Sequence, residues 1–125
     1  MKNVFYVILI SNFAGKADSW SKLYGTYYSE VFARKKLQEV IDAFSKKRGL
    51  EASKWGIKPE SRWDSRKKVW IDDAYSYIIS LFEMDIDEYE KVQELNDTEK
   101  YADLRWYINK SNSKLLDGKT ALSAK

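Results

Sequence analysis

The chain predicts an α+β domain: a three-stranded, mostly antiparallel sheet of order 2-1-3, one main amphipathic helix on one face, and C-terminal helices packed beside it. Three observations carry that expectation. Val4 to Ile10 is an unbroken apolar run, the pattern of a strand covered on both faces. Ala33, Leu37, Val40, Ile41 and Phe44 recur at i, i+4, i+7, i+8 and i+11, one stripe of a 3.6-residue helix. Tyr75, Tyr77, Ile79 and Leu81 alternate with Ser76, Ile78, Ser80 and Phe82 at the two-residue period of a strand. A length of 125 residues suits one such domain, placed at 1–110, with 111–125 as a frayed polar tail.

Taken in order, Val4 to Phe13 reads as the central strand. Its β-branched, aromatic character and seven-residue apolar length fit a strand better than the core of a secretory signal, and it is far too short to cross a bilayer. Ala14 to Ser21 reads as a loop, and Lys22 to Tyr28 as a second strand antiparallel to the first. Ser29 stands where an N-cap belongs, Glu30 suits the positive end of the helix dipole, and the helix runs to about Lys47 before Gly49. Residues 49–68, which hold the single proline, Pro59, read as a long basic loop inserted before the third strand, Val69 to Met84. Asp72-Asp73 offers a break that leaves a short hairpin arm at Val69–Ile71. Asp85 and Asp87 are candidate N-caps for a helix carrying Ile86, Tyr89, Val92 and Leu95. A last helix spans about Thr98 to Lys110, with Tyr101, Leu104, Tyr107 and Ile108 on one side. A hairpin of the first two strands followed by a helical crossover places the third strand beyond the first, hence the order 2-1-3.

The chain has no cysteine and no histidine. Disulfides, thiolate zinc sites, Cys or His nucleophiles and an imidazole base are thereby excluded. A reducing, cytoplasmic setting fits that composition, and neither a cofactor, a metal nor a membrane is expected. Net charge is only +3, but it is polarised along the chain. Residues 45–70 carry nine basic and three acidic groups, whereas 71–103 carry two basic and eleven acidic.

Three features stand out as candidate surfaces. The basic, aromatic segment contains Lys46, Lys47, Arg48, Lys54, Trp55, Lys58, Arg62, Trp63, Arg66, Lys67, Lys68 and Trp70. Cations that release counterions from phosphate, together with aromatic faces for bases, suit single-stranded nucleic acid or a phosphorylated ligand. The plainer reading is that Trp55 and Trp63 pin a long loop to the core while the lysines are solvated. The acidic residues Glu83, Asp85, Asp87, Glu88, Glu90 and Glu94 form a candidate ridge that could occupy the basic groove of a nucleic-acid-binding protein. Their plainer reading is a solvated helix face with its acids near the dipole's positive end. Asp85 and Asp87 lack the glycine-flanked spacing of a metal loop, and no catalytic residue is nominated. Finally, nine tyrosines and five tryptophans exceed what so small a core hides. Tyr24, Tyr27 and Tyr28 cannot all point inward from one strand, which favours a protein partner or a homodimer over a free-standing enzyme.

The stretch Gly25 to Ala33, GTYYSEVFA, resembles a strand–strand–capped helix–strand module of small phage and mobile-element accessory proteins. The likeness covers about residues 3–88 and extends to the acidic strand ending Phe82-Glu83-Met84-Asp85-Ile86-Asp87-Glu88. Where that module has a polar pair after the cap, this chain has Val31 and Phe32, so the helix start is expected to be buried or to make a contact. The resemblance implies an accessory protein and transfers no catalytic residue. The resulting expectation is a non-enzymatic phage or mobile-element inhibitor that masks a host defence nuclease or other nucleoprotein, in the manner of an anti-CRISPR. The alternative is a binder of single-stranded nucleic acid or a phosphorylated ligand through residues 46–70.

Overall fold

The computed structural model describes residues 4–12, 19–46, 54–55 and 60–124. Its elements in chain order are β1 (Val4–Asn12), β2 (Ser21–Tyr27), α1 (Glu30–Lys46), β3 (Glu60–Asp64), β4 (Val69–Asp85), α2 (Ile86–Asp97), α3 (Tyr101–Lys110) and β5 (Lys114–Ala124). The class is α+β, as the sequence predicts. All strand pairings are antiparallel.

The expected order 2-1-3 appears as β2-β1-β4, because β4 is the predicted third strand. The sheet is nevertheless larger than expected, and both additions fall where no strand was predicted. Ala74 of β4 faces Glu60 of β3 on one side and Ala124 of β5 on the other. The body is therefore β2-β1-β4-β5, and β3 makes a two-stranded arm with the first residues of β4, on the side of β1.

The stretch expected to be a frayed tail thus carries β5, whose Asp117, Gly118 and small residues are poor strand formers. What holds it is the far edge of β4, a row of backbone donors and acceptors that it pairs along Ala74 to Glu83. Its Leu116 packs against the α1 side of the sheet. Likewise β3, Glu-Ser-Arg-Trp-Asp, has no apolar alternation to announce it, and the four-residue turn 65–68 sets its register against Val69–Ala74. Apart from Lys54 and Trp55, the rest of the long-loop expectation, including Gly49 and Pro59, lies outside the described residues.

β1 is enclosed on both faces because its side chains alternate into two separate cores. Ile8 and Ile10 join Ala33, Leu37, Val40, Ile41 and Phe44 of α1 and Tyr77, Ile79 and Leu81 of β4. Val7 and Leu9 join Met84 with Val92 and Leu95 of α2 and Leu104 and Ile108 of α3. Each fully buried aliphatic side chain contributes about 1.5–3 kcal/mol of transfer free energy. The molecule is a helix–sheet–helix sandwich, with α1 on one side and the C-terminal pair on the other.

Helix ends follow their caps. The Ser29 hydroxyl accepts from the Phe32 amide at 3.3 Å, so the predicted N-cap is made. Asp85, rather than Asp87, caps α2: it accepts from the Glu88 amide at 2.9 Å while Glu88 accepts from the Asp85 amide at 3.3 Å. α3 begins at Tyr101, not near Thr98, because Thr98 still closes α2 through its hydroxyl on the Glu94 carbonyl, 2.8 Å. Glu99 then turns left-handed at φ 58°.

Two polar contacts tie β2 down. Ser11 and Ser21, both buried, share a hydrogen bond of 2.6 Å between their hydroxyls. The Leu23 amide donates to the Asn96 side-chain carbonyl at 2.9 Å, so the end of α2 occupies a donor on the edge strand. A bulge puts Tyr24 between the pairs Leu9–Leu23 and Ile8–Gly25.

Candidate functional site

Two exposed surfaces gather many of the aromatic and charged side chains that the cores leave over, with Trp106 of α3 outside both. The first lies at the β2–α1 corner. Tyr28 and Val31 are each 81% exposed and Phe32 is 49% exposed. Tyr28 stands 5.6 Å from Phe5, centroid to centroid, and Phe5 stacks on Tyr89 of α2 at 4.6 Å and 19°. Across the corner, Phe32 meets Tyr27 edge-on at 5.6 Å, and the Lys36 ammonium lies 5.7 Å from the Phe32 ring. An aromatic row therefore runs from α2 across the end of the sheet to the first turn of α1. Val31 and Phe32 are not buried by their own chain, which leaves the contact half of the sequence expectation standing.

The structure divides the predicted acidic ridge into three groups. Asp87, Glu90 and Glu94 are exposed on one stripe of α2, at i, i+3 and i+7, and Asp97, absent from the sequence reading, extends it. At a rise of about 1.5 Å per residue these carboxylates are spaced by about 4.5–6 Å along the axis. Among the described residues Lys91 pairs with Glu94, at 3.6 Å. Asp85 and Glu88 are instead engaged in the capping box, and Glu88 also accepts from the Ser113 hydroxyl at 2.9 Å. Glu83 is on the sheet's other face, opposite Tyr6, which borders the α1 core. Burial, then the Glu83 and Glu30 carboxylates, hold the Tyr6 phenol above its ordinary pKa. Burial, then Glu88, Asp85 and Asp87, does the same to Tyr107.

The basic segment separates as well. Trp55 is half-buried: it borders the α1 core, lies 5.3 Å from Tyr24, and its carbonyl accepts from the Lys22 ammonium at 2.7 Å. It is an anchor, as the plainer reading has it. Lys54 beside it is exposed. Trp63 is no anchor. It is paired directly with Trp70 across the β3–β4 arm, ring centroids 5.8 Å apart at 63°, and the two are 51% and 66% exposed. The turn that follows presents Arg66, Lys67 and Lys68, all exposed. Asp64 pins it by accepting from the Lys67 amide at 3.1 Å and the Arg66 amide at 2.9 Å, and these bonds hold its carboxyl below the usual range. Lys68 adopts φ 55°, a left-handed conformation that costs a non-glycine residue about 1–2 kcal/mol. Lys58, Lys47 and Arg48 lie outside the described residues, and Arg62 and Lys46 are placed there by backbone alone.

Among the described residues there is no group of three acidic side chains arranged to hold a metal, and no helix long and apolar enough to cross a membrane. Compared with protein-family models, with curated proteins and with solved structures, the chain matches none.

Proposed function

We propose that this chain is a non-enzymatic binding protein that docks on a protein with a basic, nucleic-acid-binding surface and masks it. The observation that carries the reading is the β2–α1 corner. Tyr28 and Val31 lie four-fifths exposed beside Phe32, at the entry to a capped helix where polar residues cost nothing. Aromatic side chains at such positions are the anchors from which interfaces draw most of their affinity. The row through Phe5 to Tyr89 leads from that corner onto α2, whose carboxylates Asp87, Glu90 and Glu94 supply the charge complementary to a cationic groove. Apolar centre and acidic flank together describe an inhibitor that takes the place of phosphates. The resemblance to phage and mobile-element accessory proteins makes a host defence nuclease the natural target, an anti-CRISPR-like role.

The test is affinity capture from bacterial lysates freed of nucleic acid, using wild type, Tyr28→Ala/Val31→Glu and Glu90→Lys/Glu94→Lys. A stoichiometric partner that both variants lose, and whose nucleic-acid binding the wild-type protein blocks, is the expected result. Capture of nothing across several hosts, or equal capture by all three proteins, counts against the reading.

A further inference from the structure

We infer that the β3–β4 arm is a separate binding site for single-stranded nucleic acid, with Trp63 and Trp70 receiving bases and Arg66, Lys67 and Lys68 receiving phosphates. The arm branches from the lower part of β4, and its two indoles belong to neither core. They pair edge to face, an arrangement that occupies the face of at most one ring and leaves the rest open to a ligand. Every base has such a face to offer, so stacking there is tolerant of sequence.

The cations are placed to complete the contact. One ladder pair, Asp64–Val69, separates the indoles from the turn. At about 3.3 Å per residue the turn begins about 7 Å along the backbone from the tryptophan pair, a spacing comparable to that of a phosphate from its own base. The Asp64 carboxylate accepts from the Arg66 and Lys67 amides and offsets part of the cations' charge, leaving the turn with a net charge of +2 from three cations and one acid. Among the described residues none of the three cationic side chains forms an ion pair. Lys68 keeps a charge at a backbone position where glycine is the easier residue. Two positions along β4 from Trp70, Asp72 accepts from the Ser61 hydroxyl at 2.8 Å and marks the base of the arm as the end of the site. Duplex DNA, whose bases are already stacked on each other, cannot use the indoles in this way.

The experiment is a fluorescence-anisotropy titration of labelled oligothymidylate with the full chain, at about 50 and about 200 mM salt. Three phosphate contacts give a log–log salt slope of about −2, so affinity should fall about fifteen-fold between the two conditions. Trp70→Ala should weaken binding about five- to 150-fold. Lys67→Ala/Lys68→Ala should reduce the slope to about −0.7. Trp70→Phe, which keeps an aromatic in the cross-strand pair, should retain most of the affinity and so separates lost stacking from a collapsed arm. No binding at the lower salt overturns the inference, as does equal binding of a duplex or indifference to both the tryptophan and the lysine variants. So does a result in which the arm variants lose only a captured protein partner while oligonucleotide binding is unmoved. Because the arm and the β2–α1 corner are tested by different variants, failure of one leaves the other to be judged by itself.

Discussion

Replacing Tyr77 by phenylalanine should stabilise the protein. Tyr77 is fully buried on the α1 side of β4, with its ring edge-on to Phe44 at 4.9 Å and 64°. Its hydroxyl finds no hydrogen-bond partner among the described residues. A buried hydroxyl without a partner costs about 1–3 kcal/mol relative to water, whereas the aromatic contacts survive the substitution. Against that gain stands a void of one oxygen, small beside the methylene-sized holes that cost about 1 kcal/mol. The expected net is about 1–2 kcal/mol in favour of Tyr77→Phe, which for a domain of this size raises Tm by about 3–8 °C. Burial also pushes the Tyr77 phenol up to about 12. A group whose folded pKa is raised stabilises fully below its unfolded value and loses that contribution as pH climbs through the folded one. Wild type should therefore lose stability between about pH 10 and 12 by a Tyr77-dependent amount that is missing in Tyr77→Phe. Urea denaturation of both proteins at neutral pH and across that alkaline window measures both effects. A variant less stable than wild type by 1 kcal/mol or so would refute the reasoning, since it would mean the hydroxyl is satisfied.

Asn96→Ala removes the acceptor of the Leu23 amide and should cost about 1–2 kcal/mol in denaturant unfolding, with stability equal to wild type as the contrary result. Gly25→Ala would set a Cβ 2.5 Å from the Tyr27 hydroxyl oxygen, so the ring must leave its place against the α1 core. Loss of stability, accompanied by a change in the tyrosine near-UV dichroism, is expected, and an unchanged spectrum would contradict it. Lys68→Gly should make the arm's amides exchange more slowly, by up to about 1 kcal/mol of local stability, while weakening oligonucleotide binding. Movement of both in the same direction would break the separation of fold from charge at that residue. Because Asp64 is held below its usual range, its support of the turn is present above about pH 4 and is lost as pH falls through the lower folded value. Trp63 and Trp70 fluorescence, followed from pH 5 to 2 in a background with Trp20, Trp55 and Trp106 replaced by phenylalanine, should report that loss, and a trace identical to that of Asp64→Asn would deny it.

What could be read in the sequence was whatever burial had written as a period. The double-sided enclosure of Val4 to Ile10, the stripe from Ala33 to Phe44 and the alternation through Leu81 each became the element predicted. β5 left no such mark, since a strand held by the backbone edge of its neighbour needs few apolar side chains, and its leucines, Leu115, Leu116 and Leu122, do not alternate around Asp117 and Gly118. In the acidic tract, composition showed six carboxylates but not their directions. Strand alternation sends Glu83 to the opposite face, and capping removes Asp85 and Glu88, while Asp97 joins the stripe only once the helix is known to run that far. Trp55 and Trp63 look alike in the sequence. One lies against a core and the other against a tryptophan that only the unpredicted β3 brings across from it.

The central strand has a consequence for how the protein is made. One of its two edges is closed by a part of the chain that a ribosome delivers late: Asn12 waits for Tyr77 and Val4 for Asp85, separations of 65 and 81 positions. At roughly 10 residues per second the most oil-like segment of the polypeptide spends about seven seconds with β2 beside it but without β4. Nascent chains stalled before and after residue 85 should therefore differ sharply in their hold on trigger-type chaperones, the shorter ones clinging through Val4 to Ile10 and the longer ones letting go.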